Sequence, residues 1–380
     1  MTSEPRKLGL AAGGVGFAVL LMFMQIGFRN ALFDSTVQVA QLLKADLFIL
    51  SRSRNNLPNE QRFSQATLEQ ARGIPSIRDI VPIYVERAAT ELRVIGNPSR
   101  LIRVIGVPLT GTVFVDKDMD DKRQLLSDPR SALLDRMTKN SYGFERKNLA
   151  KLREQEVELS GKQLRIVDWV QIGTDFVHDG SLIVSEEAIR HFFPLRAGGR
   201  DDPLRVVDFG LIQLEPGANV EQVRKAVRAL APNQIDVMTK KEIVRREIKF
   251  WGTATPIGVI FTVGTVMGLV VGTIICYQIL YTDITDHLAE FATLKAMGYS
   301  STYFGQLVLM QSIYLTFIGF IPGFAVTVGL YTLLSKTTGL IMLLSVQRVL
   351  FVFMLTLVMC IVSGLLAVRK LWSADPANLF

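Results

Sequence analysis

Long uncharged apolar runs frame this chain, and between the first two lies a broad stretch where apolar residues recur at short, changing intervals. Four runs, at 8–28, 256–281, 304–334 and 349–368, approach or exceed the ~20 apolar residues that carry a helix across a bilayer. After the first, a helical pattern continues through 30–43 with Leu32, Val39 and Leu43 among its apolar positions, which predicts a stalk.

From there the period changes. Residues 45–51 form an apolar run of strand length, and 64–72 a helix ended by Gly73 and Pro75. Segments 81–85, 91–95 and 101–107 predict strands, the last two as a hairpin turning at Asn97-Pro98. The charged, sparsely apolar stretch 116–156 predicts an exposed helical insertion. Residues 157–170 predict a second hairpin around Gly161-Lys162, followed by a strand at 181–184 and a helix capped by Ser185 and running through His191. A strand at 206–214, a turn at Pro216-Gly217, a helix 220–230 capped by Asn219 and stopped by Pro232, and a strand at 234–238 complete a mixed α/β order. The charged helix 240–251 then leads straight into the second span. Two membrane-continuous helices are thus expected to carry the domain.

The connector 283–304 is the most polar interruption between two spans, yet it keeps a helical pattern. Leu288, Phe291 and Leu294 are spaced i, i+3, i+6, and Gly298 stands where a helix ends. An amphipathic helix of two to three turns at a membrane face suits docking of a soluble partner. Its apolar key would be Leu288, Phe291, Leu294 and Met297, with Glu290 and Lys295 as polar contacts. Rest on lipid headgroups is the competing reading.

Composition supports a membrane bundle plus one soluble domain: 380 residues, 49% hydrophobic, formal charge +7. Arg6 and Lys7 precede the first run, but it exceeds a signal h-region and no small-x-small cleavage site follows, so an uncleaved anchor is expected. With Arg369 and Lys370 after the last run, both termini are expected in the cytoplasm, placing 29–250 outside it. Seven bases and five acids lie outside 29–250, leaving 35 and 30 interspersed within it, the balance of an ordinary soluble surface and not of a nucleic-acid binder. Both cysteines, Cys276 and Cys360, fall in spans, so the domain must hold together without disulfides and has no thiol chemistry.

No catalytic constellation emerges. Gly13-Gly14-Val15-Gly16 lacks the Gly-Lys-Ser/Thr of a phosphate loop and predicts close helix packing. His178, His191 and His287 have no metal-binding spacing and are expected to be solvated or capping residues. The cluster Asp116, Asp118, Asp120 and Asp121 lacks the glycine and glutamate of a calcium loop, leaving a solvated turn. Gly264, Gly268 and Gly272 share one helix face, Gly319 and Gly323 repeat the spacing, and internal packing and homodimer contact stand equal for them. Pro322 should bend the third span. The spans hold no ionisable residue away from their ends, which argues against an ion-coupled carrier. Gln25, Gln278 and Gln311 are expected to hydrogen-bond between helices.

The chain resembles the FtsX-like and MacB-like ABC permeases. Glu-Phe-Ala-Thr-Leu-Lys-Ala-Met-Gly-Tyr at 290–299 is similar to that family's cytoplasmic connector, and Leu-Glu-Pro-Gly-Ala-Asn-Val at 214–220 to the opening of its last domain helix. Met-Gln-Ile-Gly-Phe-Arg-Asn-Ala-Leu-Phe-Asp-Ser at 24–35, Ala-Asp-Leu-Phe-Ile-Leu-Ser at 45–51 and Gly-Phe-Ile-Pro-Gly at 319–323 resemble the DevC-type permeases of cyanobacterial exporters. Ala289-Glu290-Phe291 stands where that group has Pro-Glu-Tyr. The resemblance implies a membrane α-helical fold of four transmembrane helices, with a large mixed α/β periplasmic domain inserted between helices 1 and 2. Its segments would be 1–28, 29–250, 251–282, a coupling helix in 283–303, 304–334, a periplasmic loop 335–348, and 349–380. The resemblance further implies an inner-membrane, non-catalytic homodimer that binds no cofactor itself, with ATP and magnesium held by a separate cytoplasmic ABC ATPase. That ATPase would meet His287, Leu288, Glu290, Phe291, Leu294, Lys295, Met297 and Gly298. A periplasmic membrane-fusion adaptor, a TolC-like outer-membrane duct and a lipid or glycolipid cargo complete the implied assembly. A lipoprotein-releasing permease and an FtsX-style regulator of a cell-wall hydrolase are the alternatives.

Overall fold

The computed structural model describes residues 5–372 other than 89, 146, 200, 339 and 341; the outer ends of the two expected cytoplasmic termini lie outside the described residues. The helices are α1 (Pro5–Leu42), α2 (Gln65–Arg72), α3 (Lys117–Lys122), α4 (Leu149–Glu154), α5 (Glu186–Phe192), α6 (Val220–Leu230), α7 (Lys240–Lys249), α8 (Pro256–Asp286), α9 (Leu288–Ala296), α10 (Ser301–Thr338) and α11 (Val346–Trp372). The strands are β1 (Leu47–Ser51), β2 (Phe63–Ser64), β3 (Ile77–Glu86), β4 (Glu91–Val94), β5 (Arg100–Leu101), β6 (Arg103–Val107), β7 (Ser131–Asp135), β8 (Val157–Leu159), β9 (Lys162–Val170), β10 (Ser181–Ser185), β11 (Val206–Val207), β12 (Phe209–Leu214) and β13 (Ile235–Thr239). They form two compact units. One comprises Met1–Asn30, Pro256–Leu334 and Met342–Phe380, the other Ala31–Thr255 and Ser335–Ile341.

The second unit is built on one mixed sheet of order β13-β1-β12-β3-β6-β10-β7-β9-β8-β4-β5. β10 lies parallel to β6 and β7 parallel to β9, while the other pairs are antiparallel. Central strands β1, β6, β7, β10 and β12 are buried on both faces, as their near-continuous apolar runs require. Alternate residues feed two cores. Leu47, Ile49 and Ile80 meet Leu68 of α2, Ile189 of α5 and Val223 and Val227 of α6, whereas Phe48, Leu50, Val81 and Ile83 meet Ala40 of α1, Met119 of α3 and Ile243 of α7. Capping fixes the helix starts: Asn219 accepts from the N–H groups of Glu221 and Gln222, and Thr239 and Glu242 close a reciprocal capping box. The hairpin β8–β9 turns on Ser160 (φ 50°) and Gly161 (φ 75°), one residue earlier than expected, in the double left-handed conformation that matches strand twist.

Four sequence expectations fail in instructive places. Stretch 116–156 is not an exposed helical insertion, since its Ser-Ala-Leu-Leu-Asp run is the fully buried β7 between β10 and β9. The run 101–107 splits: Leu101 closes the hairpin with Glu91, while β6 leaves to pair with β3 and β10. Run 206–214 is interrupted at Asp208, whose carboxylate is turned inward. Helix 240–251 does not continue into the second span. A π-helical turn, Phe250–Ala254, is followed by Thr255 in an extended conformation (φ −113°, ψ 142°), and α8 starts afresh at Pro256. A residue before proline is driven from the α region, and β-branched Thr255 favours the extended one.

Among the described residues, four helices are long and apolar enough to cross a membrane: Leu8–Leu42, Pro256–Asp286, Thr302–Ser335 and Val346–Arg369. Within the helical unit, α8 and α11 are joined by Cys276 and Cys360, whose Sγ atoms are 3.6 Å apart, and by the Ser363 hydroxyl donating to Thr273 O at 2.8 Å. α10 runs unbroken through Pro322.

Candidate coupling helix and its supports

α8 ends on a polar knot. The Gln311 amide donates to Asp283 Oδ2 at 3.1 Å, and His287 Nδ1 lies 2.8 Å from Asp283 O. Asp283 is buried, so this bundle does contain a carboxylate one turn inside the end of its helix. Of the three glutamines, Gln311 makes the interhelical bond expected; the Gln25 side chain packs against Gly264, and Gln278 is exposed.

α9 then runs from an N-cap at His287 whose side chain makes no cap bond. Its end is a Schellman motif: Tyr299 N–H donates to Leu294 O at 3.2 Å and Gly298 N–H to Lys295 O at 3.1 Å, with Gly298 at φ 95°. The fold therefore uses Gly298 because the left-handed position costs any other L-residue about 1–2 kcal/mol.

The apolar side of α9 is not turned outward. Phe291 is 9% exposed and meets Phe304 edge-on at 5.8 Å, while Leu288 and Leu294 rest on the same bundle core. The outer face is Ala289, Glu290, Thr293, Ala296 and Met297, the last 64% exposed. Of the residues expected to meet a partner, Phe291 is buried against the bundle, His287, Leu288 and Leu294 are half-buried, and Glu290, Met297 and Gly298 are exposed, so the amphipathic pattern records packing against the neighbouring helices as well. Lys295 is half-buried beside them.

The glycines make internal seams. A Cβ at Gly264 would strike Gln25, one at Gly268 would touch Met22, and one at Gly272 would strike Met359 and Ala18. Gly319 faces Val15, and a Cβ on Gly323 would lie 2.7 Å from Gly16 O. Between packing and homodimer contact, these side-chain gaps are filled from within the chain. The cluster Gly13–Gly16 contributes through Gly14, against Ile275 and Ile279, and Gly16, against Gly319 and Gly323.

In the sheet domain, residues that the sequence left unassigned form a buried charge network. Asp208 accepts from Arg54 Nη2 at 2.7 Å, from Val85 N at 2.8 Å and from Arg196, while Glu86 accepts from Arg196 Nε at 2.5 Å and Arg62 Nη2 at 2.6 Å. Burial pushes the Glu86 carboxyl up against the pull of both arginines, and burial lowers Arg54. Asp208 breaking an apolar strand run was the one sequence signal for it. His178 is buried, not solvated: its Nδ1 lies 2.9 Å from Asp175 Oδ1, and burial lowers its pKa. His191 is exposed beside Phe192. In the aspartate cluster, Asp116 caps α3 and Asp120 accepts from Val113 N and Phe114 N at 2.9 Å, so the turn is hydrogen-bonded into the domain.

Residues 262–376, from within α8 to beyond α11, match the family described as FtsX-like permease C-terminal. The chain is also similar to the periplasmic region of MacB from Actinobacillus actinomycetemcomitans, at 14% identity over 52% of this chain and 90% of that one, TM-score 0.35. The extracellular domain of the ABC-type transporter YknZ from Gram-positive bacteria is similar at 11% identity over 51% and 99%, TM-score 0.31. These two likenesses are too loose to carry argument. No curated protein matches the chain.

Proposed function

We propose that the chain is the permease subunit of an ATP-driven exporter. In this reading α9 is the cytoplasmic coupling helix, which takes up motion from a separate ABC ATPase holding ATP and magnesium. The observation that carries it is a capped helix between two membrane-length helices, seated by Phe291 on the bundle and offering Glu290 and Met297 outward, within the region matched to the permease family. Seating on the bundle supports transmission: a load on the outer face reaches α8 and α10 through packed side chains. Both termini would be cytoplasmic and the sheet domain periplasmic, with a second copy of the chain, a membrane-fusion adaptor, a TolC-like duct and a lipid or glycolipid cargo as the remaining partners. The subunit itself is non-catalytic in this reading.

The test is purification of the tagged full chain from its native host after gentle crosslinking. An ABC ATPase should copurify, with an adaptor for an exporter, or with a lipoprotein carrier or wall hydrolase for the two related alternatives. In the recovered complex, Glu290→Arg with Met297→Asp should reduce permease-stimulated ATP hydrolysis at least tenfold while the protein still inserts. Unchanged hydrolysis would reassign α9 to a lipid-facing role.

A further inference from the structure

Within the helical unit, an open pocket lies between the first turns of α1 and the last turns of α8. It offers about 210 Å³, where a single water needs ~10–15 Å³. Leu10, Ala11 and Ile279 make its walls apolar, and Gln278, Thr282 and Asp283 bring polar groups to it. Leu10 is 77% exposed, so this wall borders the outside of the bundle. The apolar run 256–281 closes two residues before Asp283. When α8 crosses a bilayer, Asp283 therefore stands near the depth of the lipid headgroups.

Acceptors outnumber donors there. An ionised carboxylate has about four sites for incoming hydrogen bonds. The buried Asp283 carboxylate takes one, from Gln311 Nε2 to Oδ2 at 3.1 Å. His287 Nδ1 lies 3.9 Å from Oδ1 and is turned instead to the Asp283 carbonyl oxygen, 2.8 Å away. Among the described side chains, no lysine or arginine lies within ion-pair distance of Asp283. Gln311 Oε1, on the amide that serves Asp283, is enclosed and has no hydrogen-bond partner among the described residues. An intramembrane carboxylate is ordinarily paired, and an enclosed amide oxygen ordinarily finds a donor.

A hydrocarbon tail alone would cover the walls and leave these acceptors unmet. A metal ion would find one carboxylate and gain nothing from the walls. A head that ends in an anion would be repelled by Asp283. A primary ammonium brings one positive charge and three N–H donors, and the tail attached to it brings apolar surface. We propose that this pocket binds a membrane aminophospholipid, its ammonium on Asp283 and its acyl chain along Leu10 and Ile279. The head supplies the donors that Asp283 and Gln311 lack. The site goes beyond the permease reading and does not depend on it, since it needs only that α1 and α8 lie in a bilayer.

The test uses the full chain in phosphatidylcholine nanodiscs doped with one of three photoreactive lipids. All three carry the same diazirine on one acyl chain, and their heads are phosphoethanolamine, phosphocholine and N-acetylated phosphoethanolamine. Photolabelled peptides are mapped by mass spectrometry. Peptides carrying 8–11 and 278–283 should be labelled at least fivefold more by the free amine than by either other head, while peptides from the rest of α8 are labelled equally by all three. Asp283→Asn, which can still accept from Gln311, should bring the three heads level. Thr282→Trp, which fills the pocket with Asp283 intact, should do the same. Equal labelling by the three heads in the native chain, which describes an unselective lipid-facing groove, would overturn the proposal. So would a preference for the amine that survives Asp283→Asn. No ATPase enters the assay, so a chain that pairs with none would still show the preference, and a fully coupled chain without it would lose only this inference.

Discussion

A single methyl group distinguishes two glycines on α10. A Cβ at Gly323 would sit 2.7 Å from Gly16 O and 3.0 Å from Val19, both on α1, whereas a Cβ at Gly329 meets nothing within 4 Å. Gly323→Ala must push the two helices apart or bend one of them, an overpacking that costs about 1–3 kcal/mol in close-packed interiors. Alanine also gains about 1 kcal/mol of intrinsic helix propensity over glycine. That gain is common to both sites, so the difference between Gly323→Ala and Gly329→Ala isolates the contact at about 1–3 kcal/mol. Gly16→Ala, whose Cβ would lie 3.2 Å from Gly319 O, should fall between them. The assay is reversible unfolding of the full chain in mixed micelles by detergent titration, with tryptophan fluorescence as readout. Stability should rank Gly329→Ala highest, then Gly16→Ala, then Gly323→Ala. If Gly323→Ala matches Gly329→Ala within roughly 0.5 kcal/mol, the α1–α10 backbone approach is wrong and these glycines face lipid or another chain.

Two further outcomes concern the sheet domain. Asp208→Asn takes from Arg54 its carboxylate partner and leaves Arg196 with Glu86 alone, and should cost about 3–5 kcal/mol in denaturant unfolding. The exposed pair of Arg190 with Asp202, broken by Asp202→Asn, should cost no more than about 1 kcal/mol, and equal effects would refute the burial argument. His178 is held neutral by burial, below its ordinary value of 6.5, so the unfolded chain binds its proton first. Its contribution is complete above pH 6.5 and is lost as pH falls from 6.5 through the lowered folded value. The unfolding temperature of the native chain should therefore drop more steeply than that of His178→Gln between pH 6.5 and 5, and parallel curves would refute the assignment.

Elements whose cause is local were legible in the chain: capped α6, the β8–β9 hairpin, and α9 with its glycine terminator all follow from residues within a few positions of one another. Elements whose cause is distant were not. β7 is five residues between Arg130 and Arg136, and only its neighbours β9 and β10 make those five a central strand. The network of Asp208, Arg54, Arg196, Arg62 and Glu86 likewise joins residues up to 154 positions apart, and no short-range spacing encodes it. The break at Thr255 was local and could have been found, because Thr-Pro opposes helix continuity whatever the hydropathy around it.

The amphipathic pattern of α9 shows why periodicity alone misassigns a docking face. Periodicity states that one side of a helix is buried, and the burying surface can be a partner or the helix's own bundle. For α9 the bundle takes Leu288, Phe291 and Leu294 through Phe304 and its neighbours, which leaves a partner a small, mixed surface around Glu290 and Met297. That division favours a lever over a latch. A helix docked only by its apolar side to a partner would detach from its own spans when pulled. Under the proposed coupling role, one seated on the spans, with its C-terminus closed by Gly298, would pass an applied force into α8 and α10 while its outer residues bind and release.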